Sequence, residues 1–399
     1  MHVVVADSHS IMKSVLEIIT LPGSAEAFIG DQFSCFHQEG DYEMHLICSD
    51  GDGLAEFAQR QKIKYQPVEI SRQLAPWKDI KAVFQIARYI RKNHIDLIVA
   101  HYFPKASLIA TLANLLAGNK TKVMIAHGVL HDTMHGMVRK LVIWEQKFDV
   151  FFAKKVVCVS PSVARRRRED GIEKADKQVI LGGGSCNGVD ALVKFNPENV
   201  PAEEIDLLRM QFGLTKSDFV LGFSGRLVHD KGIAELSQAF ILLKQRNPWK
   251  SIKLLIIGEP EQRDSVPREV MNVLYSSKDV VFTGRVPYSE IQKYYLLMNV
   301  LVLPSYREGF PTVVLEAGSM GIPVVVSKAT GCIDSIKEGV TGLFTEIQPE
   351  AIADNIARFL DMKYAEDMGT NARQYVVENY DQRIIRKYML DVLNDVCKS

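Results

Sequence analysis

Short, near-continuous apolar runs alternate with helix-patterned stretches along this chain, and the series occurs twice. Strands of that kind are buried on both faces, so they belong in parallel sheets covered by helices on either side. The first series predicts strands at residues 3–6, 44–48, 97–101, 123–126, 156–159 and 179–181, with helices such as 79–93 and 105–117 between them. After residue 195 it restarts, with strands at 220–223, 253–257, 280–283, 300–304, 323–326 and 343–345. The fold class is therefore α/β, with two doubly wound, Rossmann-like domains over residues 1–195 and 196–379. The polar, proline-containing "VKFNPENVPAEE" marks the boundary. Residues 380–399 read as a C-terminal amphipathic helix, with Ile384, Ile385, Tyr388, Met389, Val392 and Val396 near one face. It is expected to pack back on the N-terminal domain.

The bulk numbers exclude several classes. Lys and Arg balance Asp and Glu at 48 each, so nothing global suggests nucleic acid. Residues 1–195 lean basic, with 25 Lys and Arg against 21 Asp and Glu. The six cysteines show no metal-like spacing and are expected to be reduced thiols. Asp7 and His9 interrupt any apolar leader, and no run reaches the length of a membrane span. Contact with a membrane is therefore expected to be peripheral.

In open α/β sheets ligands bind beyond the carboxyl ends of the strands, and two such domains make a cleft. The strand in "VLGFSGRLVHDKGI" ends at Ser224-Gly225, followed by Arg226 and Lys231. These cations suit a diphosphate, or else pair with Asp230 at the surface. The next strands end at Gly258 and at Gly284-Arg285-Val286, where glycines either admit a ligand or simply turn the chain. In "SYREGFPTVVLEAG", Glu308-Gly309-Phe310 forms a turn, Pro311 suits the first helical position, and Thr312 begins the helix. The free amides of such a start bind anions. Glu316 lies a turn further on in an apolar run. A buried carboxylate there needs a partner, from the protein or from a ligand such as a ribose.

Glu308 and Glu316, with seven residues between them, resemble the E-x7-E signature of family 4 glycosyltransferases of the GT-B fold. "GRLVHDKGI", "PSYREGFPTVVLEAGSMGIPVVVS" and "GCIDSIKEGVTGLF" extend the likeness. "SRQLAPWKDIKAV", "HYFPKASLIATLANLLAG", "IAHG" and "GGGSCNGVD" resemble the bacterial branch that builds capsule, exopolysaccharide and protein-linked glycans. The likeness covers residues 43–399; "ADSHS" stands where many relatives carry a glycine pair.

The resemblance implies a retaining transferase moving a hexose or N-acetylhexosamine from a UDP-sugar to a polyprenyl-diphosphate-linked glycan. It implies that Arg226 and Lys231 hold the donor diphosphate and that Glu316 holds the ribose. Glu308, Gly309 and Phe310 contact the donor sugar and phosphates, and Arg285 and Val286 lie by the base. From the residues themselves, Gly225 and Gly258 at the strand ends and Thr312 at the helix start are expected to contact the nucleotide. His127, in "IAHG", faces the donor sugar; from the residues alone it reads as a core histidine bonded to a carbonyl. No protein nucleophile is assigned.

No cofactor and no metal are expected, because Arg226 and Lys231 supply cationic charge. Asp50 and Asp52 in "SDGDG" read as a turn rather than a metal pair. "SVARRRREDG" places Arg165, Arg166, Arg167 and Arg168 on a short helix, either as a solvated face or as a contact for anionic lipid. Residues 135–155 set Trp144, Phe148, Phe151 and Phe152 among basic residues, with most of these rings expected in the core. The expected place is the cytoplasmic face of the inner membrane. The rival readings are a GT-B-fold nucleotide-sugar epimerase and an inactive binding subunit of a glycan-assembly complex.

Overall fold

The computed structural model describes residues 12–70, 75–262 and 264–398. They form two compact units, each built on one sheet of parallel strands. The first unit runs to Cys158 and takes in Arg167–Val179 and Arg386–Ser399; the second comprises Val159–Arg166 and Ile180–Ile385. The polar stretch at residues 193–204 lies within the second unit.

The first sheet holds β1 (Lys13–Ile18), β2 (Tyr42–Cys48), β3 (Lys64–Pro67), β4 (Leu97–Tyr102), β5 (Thr121–Ala126), β6 (Lys155–Cys158) and β7 (Gln178–Val179). Their order is β3-β2-β1-β4-β5-β6-β7, so the winding reverses between β1 and β4. The strand expected at residues 3–6 lies outside the described residues. β1 was not expected, because Lys13, Ser14 and Glu17 break its apolar run, yet its last five residues are buried. β3 was also missed. It is a mostly exposed edge strand ending in Pro67, and edges favour such polar, proline-containing sequence.

Helices Pro76–Lys92 and Pro104–Leu116 each begin with a proline, whose missing N–H costs nothing in the first turn. Ile86 and Ile90 of the former and Ile109 and Ala113 of the latter join Leu16, Ile18, Ile98 and Ala100 of the sheet in one core. Burying each large aliphatic side chain contributes about 1.5–3 kcal/mol. The C-terminal helix Gln382–Lys398 belongs to this unit from Arg386 onward. Tyr42 donates to Asn394 Oδ1 (2.8 Å) and Lys13 Nζ to the carbonyl of Cys397 (2.6 Å).

The second sheet holds β8 (Phe219–Ser224), β9 (Ile252–Ile257), β10 (Val280–Gly284), β11 (Val300–Leu303), β12 (Val324–Ser327) and β13 (Gly342–Thr345). The order β10-β9-β8-β11-β12-β13 reverses between β8 and β11. All six strands were expected, and β8, β11 and β12 are buried throughout, which is why they read as unbroken apolar runs.

One expectation about packing is overturned. On the helix Gly136–Phe151, Trp144 is 67% and Phe151 73% exposed, so these rings are not core. The six cysteines are free thiols.

Candidate active site

The second unit gathers the expected cations and carboxylates at its topological switch point. β8 and β11 lie side by side, with Val300 opposite Leu221. Beyond β8 the chain makes a short turn at His229–Lys231 and then enters the helix Ile233–Arg246 through Gly232. Gly232 has φ +68°, and a Cβ there would stand 2.2 Å from the Pro304 carbonyl oxygen. Only glycine lets this turn close on the end of β11. Lys231 Nζ consequently forms an ion pair with Glu308 Oε1, which also accepts from Ser305 Oγ (2.8 Å). Both side chains are largely buried.

The Glu308 loop is clamped from behind. Its N–H donates to the Thr330 carbonyl (3.1 Å). A Cβ at Gly331 would lie 2.4 Å from the Gly309 oxygen and 2.6 Å from that of Glu308. Phe310 lies tilted against Tyr380, with ring centroids 5.4 Å apart, and covers Gly184 of the "GGGSCNGVD" segment. Pro311 sits one place before the helix Thr312–Ser319, not inside it.

Arg226 is exposed and pairs with Glu261 rather than with Asp230; Asp230 is held by Arg307 Nε (2.6 Å). The strand ends of β8, β9 and β10 are laced together through Gly225 N–H to the Ile257 carbonyl (2.9 Å) and Gly258 N–H to the Gly284 carbonyl (3.0 Å). A Cβ at Gly258 would meet the Gly225 oxygen at 2.0 Å. Arg285 is exposed and Val286 half-buried just past β10.

Glu316 is 5% exposed and has a protein partner: the fully buried Tyr295 hydroxyl donates to its Oε2 at 2.6 Å. Burial raises the Glu316 carboxyl above its ordinary range, while hydrogen bonds from Tyr295 and Tyr288 and the charge of Lys194 act against that rise. Lys194 lies over the Tyr288 ring. Tyr295, Tyr288, Lys194 and Glu261 were not singled out from sequence. Tyr288 and Glu261 lie a few residues beyond the ends of β10 and β9, while Tyr295 and Lys194 lie away from the strand ends.

In the first unit the switch point between β1 and β4 carries a chain of titratable groups. His127, just after β5, accepts or donates through Nε2 to His101 Nδ1 at 2.8 Å. His101 Nε2 meets Glu17 Oε2 at 2.9 Å. His127 is thus bonded to a histidine rather than a carbonyl, and its ring rests against Phe28 and Phe103. Glu17 and His101 are each 1% exposed. Burial pushes the Glu17 carboxyl up to about 8 and His101 down to about 3, and it lowers His127 well below the ordinary histidine value. With Glu17 protonated, its hydroxyl donates to His101, His101 donates to His127, and the His127 Nδ1–H becomes the donor at the end of the chain. Glu17 and His101 escaped the sequence reading. A lone carboxylate in the apolar run "VLEII" is the same signal that singled out Glu316.

The arginine run does not form one face. Arg167 is fully buried, with Nε and Nη2 donating to the two oxygens of Glu173 (2.8 Å each) and Nη1 to Gln146 (2.7 Å). It is structural, and the expected four-arginine lipid contact is set aside. Arg165 and Arg168 are exposed and Arg166 half-buried. Asp50 and Asp52 are exposed in the turn before the helix Leu54–Gln61. Among the described residues two His/Asp groups are close enough to ligate a cation, His131–Asp132–Asp170 and His229–Asp230–Asp264. In the first, both His131 nitrogens are bonded, to Asp170 and Gln146, and Asp170 also pairs with Arg139. In the second, Arg307 holds Asp230 and Asp264 accepts from the Asp230 N–H.

Residues 204–375 match the model of glycosyl transferases group 1, and residues 32–190 that of glycosyltransferase family 4. The chain is 29% identical over 365 residues to the capsular polysaccharide biosynthesis glycosyltransferase CapM of Staphylococcus aureus, covering 91% of this chain and 92% of that one. It is 33% identical over 310 residues to the D-inositol 3-phosphate glycosyltransferase of Corynebacterium urealyticum, covering 73% and 71%. It is 23% identical over 342 residues to the UDP-Gal:alpha-D-GlcNAc-diphosphoundecaprenol alpha-1,3-galactosyltransferase of Escherichia coli, covering 85% and 86%. The fold is shared with a glycosyltransferase from Rickettsia africae (TM-score 0.80, 19% identity, 97% of this chain and 99% of that one). It is also shared with HepE of Anabaena (TM-score 0.79, 20% identity, 96% and 100%). With two Rossmann-like units of the GT-B fold, the chain belongs to family 4 of the glycosyltransferases.

Proposed function

We propose that this glycosyltransferase moves a hexose or N-acetylhexosamine from a UDP-sugar to a glycan on a polyprenyl diphosphate, with retention of configuration, in surface polysaccharide synthesis. The observation that carries the reading is the Lys231–Glu308 pair at the ends of β8 and β11. A diphosphate at that switch point would meet a largely buried cation and the amides of the Thr312–Ser319 helix start. Lys231 and Arg226 would offset the negative charge that grows on the leaving diphosphate. Glu308, Gly309 and Phe310 would contact the donor sugar and phosphates, Thr312 the phosphates, and Glu316 the ribose. Arg285 and Val286 would border the base, and Gly225 and Gly258 would admit the nucleotide to the backbone. His127 would donate to a hydroxyl of the donor sugar.

With cationic side chains in this role, catalysis needs no metal. The name of the Escherichia coli relative joins a UDP-sugar to a diphosphoundecaprenol acceptor, and that of a Campylobacter jejuni relative also contains a sugar on diphospho-undecaprenol. An acceptor of this kind would put the chain at the cytoplasmic face of the inner membrane. No helix among the described residues is long and apolar enough to cross it.

The test incubates the purified chain with UDP-hexoses and UDP-N-acetylhexosamines, EDTA and a sugar-diphosphate-polyprenol. Transfer with the donor's anomeric configuration retained, read by NMR, supports the proposal. A new free nucleotide sugar formed without acceptor would make the chain an epimerase. No product with any donor would move it to a binding role.

A further inference from the structure

The helix Gly136–Phe151 is amphipathic in the inverted sense. Its buried face carries Gln146 and Asp149 beside Val150. Gln146 serves His131 and Arg167, and Asp149 accepts from Thr111 and Lys122. Met137, Leu141, Trp144, Phe148 and Phe151 follow at helical spacing along the opposite side, and all but the half-buried Phe148 are more than half exposed. A surface helix of a water-facing domain has the reverse arrangement. Lys140 and Lys147, both exposed, flank this stripe.

The helix Pro104–Leu116 packs alongside, Pro76–Lys92 packs against that helix in turn, and the two continue the pattern. Phe84 (61% exposed) and Leu116 line one shallow depression with Arg88, Arg91 and Lys92. Phe151 lines another with Lys120 and Lys154. The acidic side chains of the three helices are turned to protein partners. Asp79 pairs with Lys105 (2.7 Å), Glu145 accepts from Tyr102 (2.8 Å), and Asp149 pairs with Lys122 (3.2 Å). The layer therefore presents apolar and cationic groups together.

We propose that this face docks on an anionic phospholipid surface, with Leu141, Trp144 and Phe151 entering the interface and Lys140, Lys147 and Arg88 meeting the head groups. Amphipathic surfaces of this composition bind lipid by apolar burial plus attraction to anionic head groups. A symmetric pair of copies is the poorer occupant, since a two-fold contact would set this cationic face against itself. The inference deepens the proposed lipid-linked acceptor by naming the surface that reaches it, yet it can fail separately.

The test is co-sedimentation with vesicles, without donor or acceptor. The probes are phosphatidylcholine alone and phosphatidylcholine mixed with phosphatidylglycerol. The wild type should sediment with the mixed vesicles and far less with phosphatidylcholine alone. Leu141→Glu combined with Trp144→Glu should abolish binding. Lys140→Ala combined with Lys147→Ala should weaken it roughly thirtyfold, at ~1 kcal/mol for each cation near an anionic surface. Unchanged melting temperatures would confirm that both variants fold. Failure of the wild type to bind, or full binding by the Glu variant, would overturn the proposal. So would a wild-type dimer that the Glu variant dissociates while neither protein binds vesicles. Vesicle binding without sugar transfer would instead refute the proposed function and leave this inference standing.

Discussion

Lys231 and Glu308, 77 residues apart in the chain, form an ion pair where the second sheet reverses its winding. The pair exists because Gly232 lets one strand-end turn close against another. Lys231→Ala removes the largely buried cation assigned to the leaving diphosphate. Losing one preorganised electrostatic group of this kind lowers kcat roughly a hundred- to a thousandfold. Steady-state transfer assays beside a melting curve check this, and wild-type turnover in a folded variant would remove Lys231 from the diphosphate site.

Glu316 and Tyr295 separate a structural from a binding role. Tyr295→Phe withdraws a donor from a buried carboxylate and should destabilise the chain by about 1–3 kcal/mol in urea denaturation. Glu316→Ala should in addition weaken UDP binding by calorimetry. Unchanged UDP affinity would leave Glu316 as a core residue that serves Tyr295 alone.

The Glu17 carboxyl gives a pH signature. Its folded pKa of about 8 lies above the ordinary 4.5. Between those values the folded chain holds a proton that the unfolded chain has released, so stability falls as pH rises across that window. His101, lowered to about 3 from 6.5, has the opposite sign, and its contribution falls as pH drops through that lower range. Glu17→Gln removes only the first titration. The wild-type melting temperature should therefore decline relative to Glu17→Gln as pH rises towards 8. Parallel curves would contradict a protonated Glu17.

Arg167 tests the reading of the arginine run. Arg167→Ala leaves the buried Glu173 without its bidentate partner and should cost about 3–5 kcal/mol. Arg165→Ala, at an exposed position, should change stability little, within about 0.5 kcal/mol. Equal small effects in chemical denaturation would show that Arg167 is not locked.

Sequence revealed the second sheet almost strand for strand, because β8, β11 and β12 are buried on both faces and read as unbroken apolar runs. It missed β1, whose Glu17 is buried for the sake of His101, and β3, whose edge position calls for polar residues. The strand-end cations and carboxylates were visible as residue types, but their pairings were not. Arg226 finds Glu261 and Lys231 finds Glu308, through loop closures set by glycines at a distance in sequence. The inverted helix misled for a related reason: its polar residues have buried partners on other elements, which periodicity alone does not show.

Calorimetric titration of UDP, in EDTA, into the wild type and Lys231→Ala comes first. Binding by the wild type that is indifferent to EDTA, and clearly weaker in the variant, is the expected result. Equal affinity in both proteins, or binding that EDTA abolishes, would contradict a metal-independent diphosphate site at Lys231.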